Sequence, residues 1–396
     1  MDKKLEYILK RGVTEIIIEE ELIRLLQSGK RLRLKMGFDP SRPDIHLGHV
    51  VGIRKLRQFQ ELGHQVVLIV GDWTAQIGDP SGASQTRPML SAEEVKSNAE
   101  TYMQQFFKIV DKDKTELRWQ TEWFGNFDLA DVVRLTSKFT VAQLLARDDF
   151  STRYTSGRPI AVTELLYPLL QAYDSVVVES NVEFGGSDQK FNCLMGRELQ
   201  QMVGQEPQHV FLMPILVGTE GRQKMSKSLD NYIAVEEPPN DMYGKLMSIP
   251  DGVMISYFEL LTDIPDDELN ELRQQVSLGA VNPMLLKKRL AGDIVSQFHG
   301  ADAARMAADQ FERVVQRKEV PDDLPEYVIS RPEVDIIDLL VDTGLATSRG
   351  EAKRSLIAGA VKMDGKKLAQ DLAMIRPTDG CVLQLGKRRF VRIRSS

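Results

Sequence analysis

The chain has 396 residues, of which 42% are apolar and 27% charged, and its net charge is −6. These values are typical of a water-soluble globular protein with two or three domains. No apolar run reaches the roughly 20 residues that span a bilayer, and the charged start MDKKLEYILKRG does not have the pattern of a signal peptide. The only two cysteines, Cys193 and Cys381, are far apart. We therefore expect a cytoplasmic protein without disulfides and without a membrane segment.

Strand-like and helix-like segments alternate between residues 31 and 220. LRLKMGF reads as a strand, followed by a helix from His46, and the continuous apolar run QVVLIVG is typical of a parallel strand buried on both faces. Ser91 and Glu94 predict a capping box for a helix through Val110. The strand-like runs SVVVES, VEFGG and HVFLMPILVG continue the rhythm. The pattern predicts an α/β fold with a doubly wound parallel sheet, whose ligands bind at the carboxyl ends of the strands.

The sequence changes character after this region. Residues 232–318 have helical periodicity and little strand character. Residues 319–332 are dotted with proline, which is typical of a linker. We therefore predict an α-helical domain that ends in a linker.

The C-terminal part of the chain is basic. Residues 331–396 hold 13 Lys and Arg against 8 Asp and Glu, a net charge of +5, so residues 1–330 carry −11. A basic module on an acidic body indicates an anionic partner, most simply nucleic acid, although a solvated basic face is the alternative. SRGEAKRSLIAGA predicts a capped helix, VKMDGKKL a strand and turn, and VLQLGKRRFVRIR a hairpin. These elements predict a small α+β RNA-binding domain at 333–396.

Two of the five histidines, His46 and His49, lie where a strand ends and a helix begins. A zinc site needs three or four ligands, and no glutamate or cysteine at helical spacing completes one. Gly48 permits close backbone approach, and a helix N-terminus offers free N–H groups and a positive dipole end. The pattern therefore favours an anion, with the imidazoles donating to phosphate oxygens in a transition state. Two surface histidines at a helix cap are the alternative.

A second candidate element is GRQKMSKSLDN, residues 221–231. Its composition predicts a mobile loop that carries Lys224 and Lys227, and lysine is a compact point charge suited to phosphate. An exposed basic turn is the alternative reading.

HLGH and KMSKS resemble the two signature motifs of class I aminoacyl-tRNA synthetases. GDPSG (78–82), YPLLQAYD (167–174) and GGSDQ (185–189) narrow the resemblance to the tyrosyl-tRNA synthetase family, over essentially the whole chain. The resemblance implies a Rossmann-like catalytic domain at 1–231 with a dimer-forming insertion around 125–160. The helical domain at 232–318 would lie on the anticodon side of the tRNA.

The resemblance also implies a reaction and its partners. Such a ligase forms tyrosyl-adenylate and pyrophosphate from L-tyrosine and ATP, and then passes the tyrosyl group to the 3′ end of tRNA(Tyr). Magnesium would accompany ATP, and the enzyme would be a homodimer without a structural metal.

Residue roles follow from the same resemblance. Asp79 would hold the α-ammonium of tyrosine, and Asp174 would accept the phenolic hydroxyl, which lets such a site reject phenylalanine. The implied catalytic residues are His46, His49, Lys224, Lys227 and Ser41; the ATP contacts are Asp39, Gly48, Arg87, Gly186, Asp188, Met225, Ser226 and Ser228; the tyrosine contacts are Lys35, Asp79, Tyr167, Gln171, Asp174 and Gln189; the tRNA contacts are Arg349, Lys353, Arg354, Lys387, Arg388 and Arg389.

The chain departs from the family pattern at three places. Lys35 stands where many members have a second phenol-binding tyrosine, Lys190 replaces a tryptophan, and Arg87 is the nearest cation after GDPSG. Two other functions share some of these features: a nucleotidylyltransferase with the same histidine motif, and an RNA-binding protein that kept the fold and lost catalysis. The basic module argues against the first, and the joint presence of both histidines and both lysines argues against the second.

Overall fold

The computed structural model describes residues 3–81, 89–316, 324–386 and 389–395. The chain forms two compact units, Met1–Phe298 and His299–Ser396. This division does not separate a catalytic from a helical domain, so the domain limits at 231, 318 and 332 stay predictions. Within the described ranges, no helix is both long enough and apolar enough to cross a membrane.

A six-stranded sheet forms the centre of the first unit. Its strands lie in the order β1–β6–β5–β2–β3–β4, and all neighbours are parallel except β1 and β6. The chain order reverses between β2 and β5, which confirms the doubly wound arrangement and places a ligand crevice beside that point. In chain order the strands are β1 (Glu15–Ile17), β2 (Arg33–Phe38), β3 (Gln65–Val70), β4 (Thr115–Trp119), β5 (Val182–Gly186) and β6 (His209–Met213).

Helices surround this sheet and continue beyond it, including the helices predicted after residue 232. They are α1 (Lys3–Lys10), α2 (Glu19–Gln27), α3 (Leu47–Gln60), α4 (Thr74–Ile77), α5 (Ala92–Phe106), α6 (Thr121–Phe124), α7 (Leu129–Thr136), α8 (Val141–Leu145), α9 (Asp148–Thr155), α10 (Val162–Val177), α11 (Lys190–Met202), α12 (Pro239–Ser248), α13 (Met254–Leu261), α14 (Asp266–Ser277) and α15 (Pro283–His299).

Two local predictions have different outcomes. The capping box is confirmed, because the backbone N–H of Ser91 donates to Glu94 at 2.9 Å and α5 starts at the next residue. The prediction that SVVVES forms a strand is wrong, because its first residues complete α10 and Val178 caps it. Val178 is buried against the strand residues Val67 and Ile69. This packing outweighs the weak preference of valine for strands.

The second unit has a core of its own. Its buried cluster is drawn from residues 329–393 and includes Ile336, Leu340 and Ile393, all fully buried. The helix predicted from SRGEAKRSLIAGA is confirmed, with Ser348 accepting from the backbone of Glu351 at 3.2 Å. The elements are α16 (Ala301–Phe311), a π-helical turn (Glu312–Gln316), β7 (Glu326–Ile329), β8 (Val334–Asp335), α17 (Ile336–Asp342), α18 (Arg349–Ile357), β9 (Val361–Met363), β10 (Lys366–Lys367), β11 (Met374–Ile375), β12 (Val382–Leu385) and β13 (Arg389–Ser395).

Two sheets cover this core. Five strands run in the order β10–β9–β12–β13–β7, and β11 pairs with β8. β12 and β13 are antiparallel, as predicted for the hairpin, and β9 pairs with β10 around the predicted turn. The small α+β module is therefore confirmed as a fold.

Candidate active site

A cleft of about 870 Å³ opens at the carboxyl edge of the sheet in the first unit. Residues that follow four parallel strands line it: Asp39 after β2, Gly71 after β3, Gln120 after β4 and Asp188 after β5. The sheet thus brings distant parts of the sequence together, as the strand pattern predicts. The predicted site residues that line the cleft are Asp39, Ser41, His46, Gly48, His49, Asp79, Tyr167, Gln171, Asp174, Gly186, Asp188, Gln189, Lys224, Met225, Ser226 and Ser228.

Two predicted site residues of the first unit, Lys35 and Lys227, are not in this wall, and the position of a third is not described. Arg87 lies outside the described residues. Lys227 lies behind the wall, where its Nζ donates to the backbone oxygens of Arg42 at 3.1 Å and Asp44 at 2.5 Å. Lys35 is fully buried in the sheet beneath the cleft.

The rings of His46 and His49 stack with their centroids 3.8 Å apart. The Nδ1 atom of His49 accepts from the backbone N–H of His46 at 3.2 Å, so the proton of a neutral His49 lies on Nε2. That atom is 3.1 Å from the hydroxyl of Tyr102. Both nitrogens of His49 are therefore engaged within the protein. The Nδ1 atom of His46 is buried and has no hydrogen-bond partner within the described part of the chain.

Both imidazoles are neutral at pH 7. Burial, followed by the charge of Lys227, lowers the pKa of His46 to about 3. Burial also lowers the pKa of His49 well below its ordinary value. A neutral ring of His46 can donate one hydrogen bond into the cleft without bringing a charge of its own.

Gly48 allows this arrangement of rings. A Cβ atom at this position would lie 3.0 Å from both Cε1 and Nδ1 of His46 and 3.5 Å from the Cβ of Met225. Any side chain here would push the imidazole out of place. The same contact shows that the loop of residues 221–231 packs directly on the first turn of α3.

The two lysines of that loop have partners in this conformation. The Nζ atom of Lys224 lies 3.1 Å from Oδ2 of Asp188, a residue at the end of β5. The Nζ of Lys227 is 5.1 Å from the centre of the Tyr102 ring. Burial lowers the pKa of Lys227 to about 8, and the nearby carboxylate of Asp44 partly opposes this. The loop therefore holds two cations beside the histidines.

A buried carboxylate, that of Asp174, also lines the cleft. Asp174 is 2% exposed and accepts from Nε2 of Gln120 at 2.8 Å and from Nε1 of Trp123 at 3.2 Å. Burial raises the pKa of Asp174 to about 7, and the charge of Lys35 partly opposes the increase. Asp174 therefore changes its charge close to neutral pH.

Two further carboxylates of the cleft are held by hydrogen bonds. Asp39 accepts from the hydroxyl of Tyr167 at 2.8 Å and from that of Thr74 at 2.7 Å. Asp79 accepts from Nε2 of Gln189 at 2.6 Å. Asp79 also accepts from the next-but-one backbone N–H at 2.9 Å, so the turn role expected for an aspartate in DPSG coexists with its place in the cleft.

Sequence reasoning missed four supporting residues: Thr74, Tyr102, Gln120 and Trp123. Gln120 directly follows β4, so the rule that ligands bind at the carboxyl ends of strands could have found it. Tyr102 lies within α5, where a tyrosine usually packs in the core, and no local pattern sets it apart. Among the described residues, no group of three or more His, Cys, Asp or Glu side chains could hold a metal ion.

Comparisons with known proteins agree with this geometry. The family model "tRNA synthetases class I (W and Y)" matches residues 27–316. The model "Tyrosine--tRNA ligase SYY-like C-terminal domain" matches residues 316–393. The chain is 62% identical over 390 residues to the tyrosine–tRNA ligase of Dehalococcoides mccartyi strain CBDB1, covering 98% of each chain. The chain belongs to the tyrosine–tRNA ligase family.

Other members of the family are similar over a comparable length. The tyrosine–tRNA ligase of Thermotoga maritima is 53% identical over 386 residues, which is 98% of this chain and 96% of the relative. The tyrosyl-tRNA synthetase of Archaeoglobus fulgidus, solved with L-tyrosine, is 24% identical with a TM-score of 0.63, covering 77% of this chain and 99% of that one. At this identity the structure supports the fold.

The predicted tRNA contacts lie in the second unit and differ in their surroundings. Arg349 pairs with Asp338, and Arg389 lies 2.8 Å from Glu351. Lys353 on α18 is exposed, as is its neighbour Arg354, and neither has an ion-pair partner in the ranges that the structure describes. Lys387 and Arg388 lie outside the described residues.

Proposed function

We infer that this chain joins L-tyrosine to tRNA(Tyr) in two steps. In the first, the carboxylate oxygen of tyrosine attacks the α-phosphorus of ATP, giving tyrosyl-adenylate and releasing pyrophosphate. In the second, a terminal hydroxyl of tRNA attacks the tyrosyl carbonyl and AMP leaves. One observation carries this inference: the histidine pair, the two-lysine loop and the Asp174 pocket open onto one cleft in a family member.

The histidines and lysines would act on the phosphates. No side chain needs to be the nucleophile, because phosphoryl transfer is accelerated by positioning and by stabilisation of developing charge. The ring of His46 lines the cleft, and we assign to it the hydrogen bond to a phosphate oxygen. Lys224 and Lys227 would add positive charge as pyrophosphate leaves. His49, whose two nitrogens are engaged, would hold His46 in place.

The carboxylates would bind the polar groups of the amino acid. Asp79, held by Gln189, and the pair of Asp39 and Tyr167 supply acceptors for the α-ammonium. Asp174 would accept the phenolic O–H, so phenylalanine would leave this buried acceptor unpaired. This arrangement is the basis for expecting strong selectivity for tyrosine.

Magnesium would accompany ATP and neutralise charge on its phosphates. The fit to protein ligands is poor, since no cluster of acidic or metal-binding side chains occurs among the described residues and Asp188, beside the loop, is paired with Lys224. We therefore assign the ion no protein ligand.

A homodimer is supported by apolar side chains on the predicted insertion. Leu129, Val141 and Val162 are 78%, 62% and 75% exposed, and Tyr154 and Val133 lie in the same stretch of chain. Concentrated exposure of this kind marks an interaction surface. A cytoplasmic location is consistent with two cysteines that are both free and buried.

The test is pyrophosphate exchange into ATP, measured with each of the twenty amino acids in turn. We expect exchange with tyrosine and with no other amino acid at comparable concentration. Exchange driven by a different amino acid, or by none, would refute the proposed function.

A further inference from the structure

A buried ion pair lies beneath the amino-acid end of the cleft. Lys35 on β2 and Glu183 on β5 are directly opposite each other, at the point where the strand order reverses. Their side chains are 0% and 2% exposed, and Nζ lies 3.0 Å from Oε1. Taking two charges out of water opposes folding, so a pair at this place needs an explanation beyond stability.

The ammonium of Lys35 is fully used by its neighbours. Besides Glu183, it donates to the backbone oxygen of Gln171 and to the hydroxyl of Ser175, both at 2.8 Å. An ammonium has three protons, so none is left for a direct bond to a phenol in this arrangement. Gln171 and Ser175 lie one turn apart on α10 and bracket Asp174. Lys35 therefore fixes the turn of helix that carries Asp174.

Glu183 holds the other side of the same turn. Its Oε1 atom accepts from Nε2 of Gln171 at 3.0 Å. Its Oε2 atom accepts from Ser175 at 3.3 Å and from Gln208. Because the amide nitrogen of Gln171 is bound to Glu183, its amide oxygen is left as an acceptor where Gln171 lines the cleft.

We propose that the Lys35–Glu183 pair is a positioning device for tyrosine selectivity, which holds Asp174 and Gln171 against the amino-acid end of the cleft. The inference rests on the proposed function, since it concerns the same site. Lys35 acts through Asp174 instead of touching the phenol itself, and so compensates for the second phenol contact that many family members have at this position.

The charges around Asp174 give the pair a measurable signature. The charged and titratable side chains that face Asp174 are Lys35 from β2, Glu183 from β5 and Tyr167 from its own helix. Lys35 lowers the pKa of Asp174 and Glu183 raises it, with the lysine the larger influence. Removing both charges therefore moves the ionisation of Asp174 to higher pH.

The test is the double variant Lys35→Met/Glu183→Gln, which removes one positive and one negative buried charge together and keeps an oxygen that can accept from Gln171. The measurement is kcat/KM for tyrosine and phenylalanine in pyrophosphate exchange across pH. We expect the ratio of the two values to fall about tenfold or more. We also expect the pH at which tyrosine activation rises to move upward.

The control is a second double variant on the same strand, Arg33→Met/Glu116→Gln. Arg33 is two residues before Lys35, its Nη1 lies 2.8 Å from Glu116, and neither side chain lines the cleft. The control should keep both the ratio and the pH profile of the unmodified enzyme.

Two outcomes separate the explanations. An unchanged ratio in the double variant, with or without an equal loss of kcat/KM for both amino acids, would overturn the inference, because it indicates a merely structural pair. If the unmodified enzyme shows no tyrosine-dependent exchange, the proposed function fails instead. Should the double variant not fold, Ser175→Ala removes one acceptor of Lys35 and should lower the ratio in the same direction; a constant ratio there counts against the pair.

Discussion

Two groups of the site, Asp174 in the cleft and Lys227 in the loop beside it, change their charge near neutral pH. In the proposed function Asp174, with a pKa of about 7, accepts a hydrogen bond from the phenol as a carboxylate, so kcat/KM for tyrosine should fall as pH drops below about 7. Lys227, with a pKa of about 8, must be charged to stabilise pyrophosphate, so activity should also fall above about 8. A bell-shaped profile of kcat/KM in pyrophosphate exchange would show this.

Single substitutions assign the two limbs of this profile. Asp174→Asn should remove the acid limb and Lys227→Arg should move the alkaline limb upward. A profile that is flat between pH 6 and 9 in the unmodified enzyme would contradict both assignments.

His46 should matter more to the rate than to binding. Loss of one donor to the transition state costs about 3 kcal/mol, so His46→Ala should slow adenylate formation by about 10²–10³-fold. Tyrosine affinity should change little, since Asp174 and Asp79 lie elsewhere in the cleft. Stopped-flow adenylation and equilibrium tyrosine binding measure the two quantities. Tyr102→Phe, which alters only the partner of His49, serves as the comparison, and an equal or larger effect there would mean that His46 is not the donor.

For single residues, the sequence identifies candidate site residues but not the groups that they contact. Asp174 and His46 could be named from short motifs. Trp123 and Tyr102 could not, because they reach the site from other elements through tertiary contacts, and Gln120 could be found only from its position directly after β4. The pKa values that govern the pH profile depend on those contacts.

Secondary-structure elements were predictable where one local signal dominates. The strand QVVLIV and the capping box before α5 are such cases. The run SVVVES was not, because its valines favour a strand locally while the helix that begins at Val162 continues into them. Burial of Val178 against the sheet determines the outcome, and that burial is visible only in three dimensions.

α3 also carries a lysine that caps another helix. The Nζ atom of Lys55 donates to the backbone oxygens of Ile8 and Arg11, both at 2.8 Å, at the C-terminal end of α1. Burial first, and then the charges of Arg11 and Arg54, lower the pKa of Lys55 to about 7. The folded protein therefore binds this proton less tightly than the unfolded chain, where the ordinary value is 10.5.

The free energy of unfolding should depend on pH through Lys55. Between pH 7 and about 10 the unfolded chain holds a proton that the folded protein has lost, so this group adds up to about 1.4 kcal/mol of stability per pH unit. Below pH 7 both states hold the proton, so Lys55 no longer changes the free energy of unfolding as pH changes. Lys55→Met should remove this slope, measured as the difference between the two proteins in urea unfolding at pH 7, 8 and 9. If the free energy of unfolding changes with pH in the same way in both proteins, Lys55 stays charged in the folded state.

For the whole molecule, the layout could be predicted because it depends on patterns repeated along the chain. Alternating strands and helices indicate the doubly wound sheet, and the charge difference indicates a separate basic module. The division into Met1–Phe298 and His299–Ser396 could not be predicted from the sequence. α16 belongs to the second unit because of its contacts, and its composition gives no sign of this.

The basic module makes a prediction about tRNA binding. Lys353 and Arg354 are exposed without an ion pair in the described ranges, whereas Arg349 is already paired with Asp338. Lys353→Ala and Arg354→Ala should each weaken tRNA binding and lower the slope of log affinity against log salt by about 1. Arg349→Ala should change that slope less. The measurement is tRNA binding from low to moderate salt, and identical slopes in all three variants would mean that tRNA is held elsewhere.

The separate hydrophobic core of the second unit has a consequence for how the protein can recombine in evolution. Its buried cluster is drawn from residues 329–393, while every residue that lines the cleft falls between Met36 and Leu229. A recombination between these two ranges would cut neither. If the second unit binds tRNA as we propose, a recombination between the units would replace the RNA-binding part and leave the amino-acid-binding cleft intact.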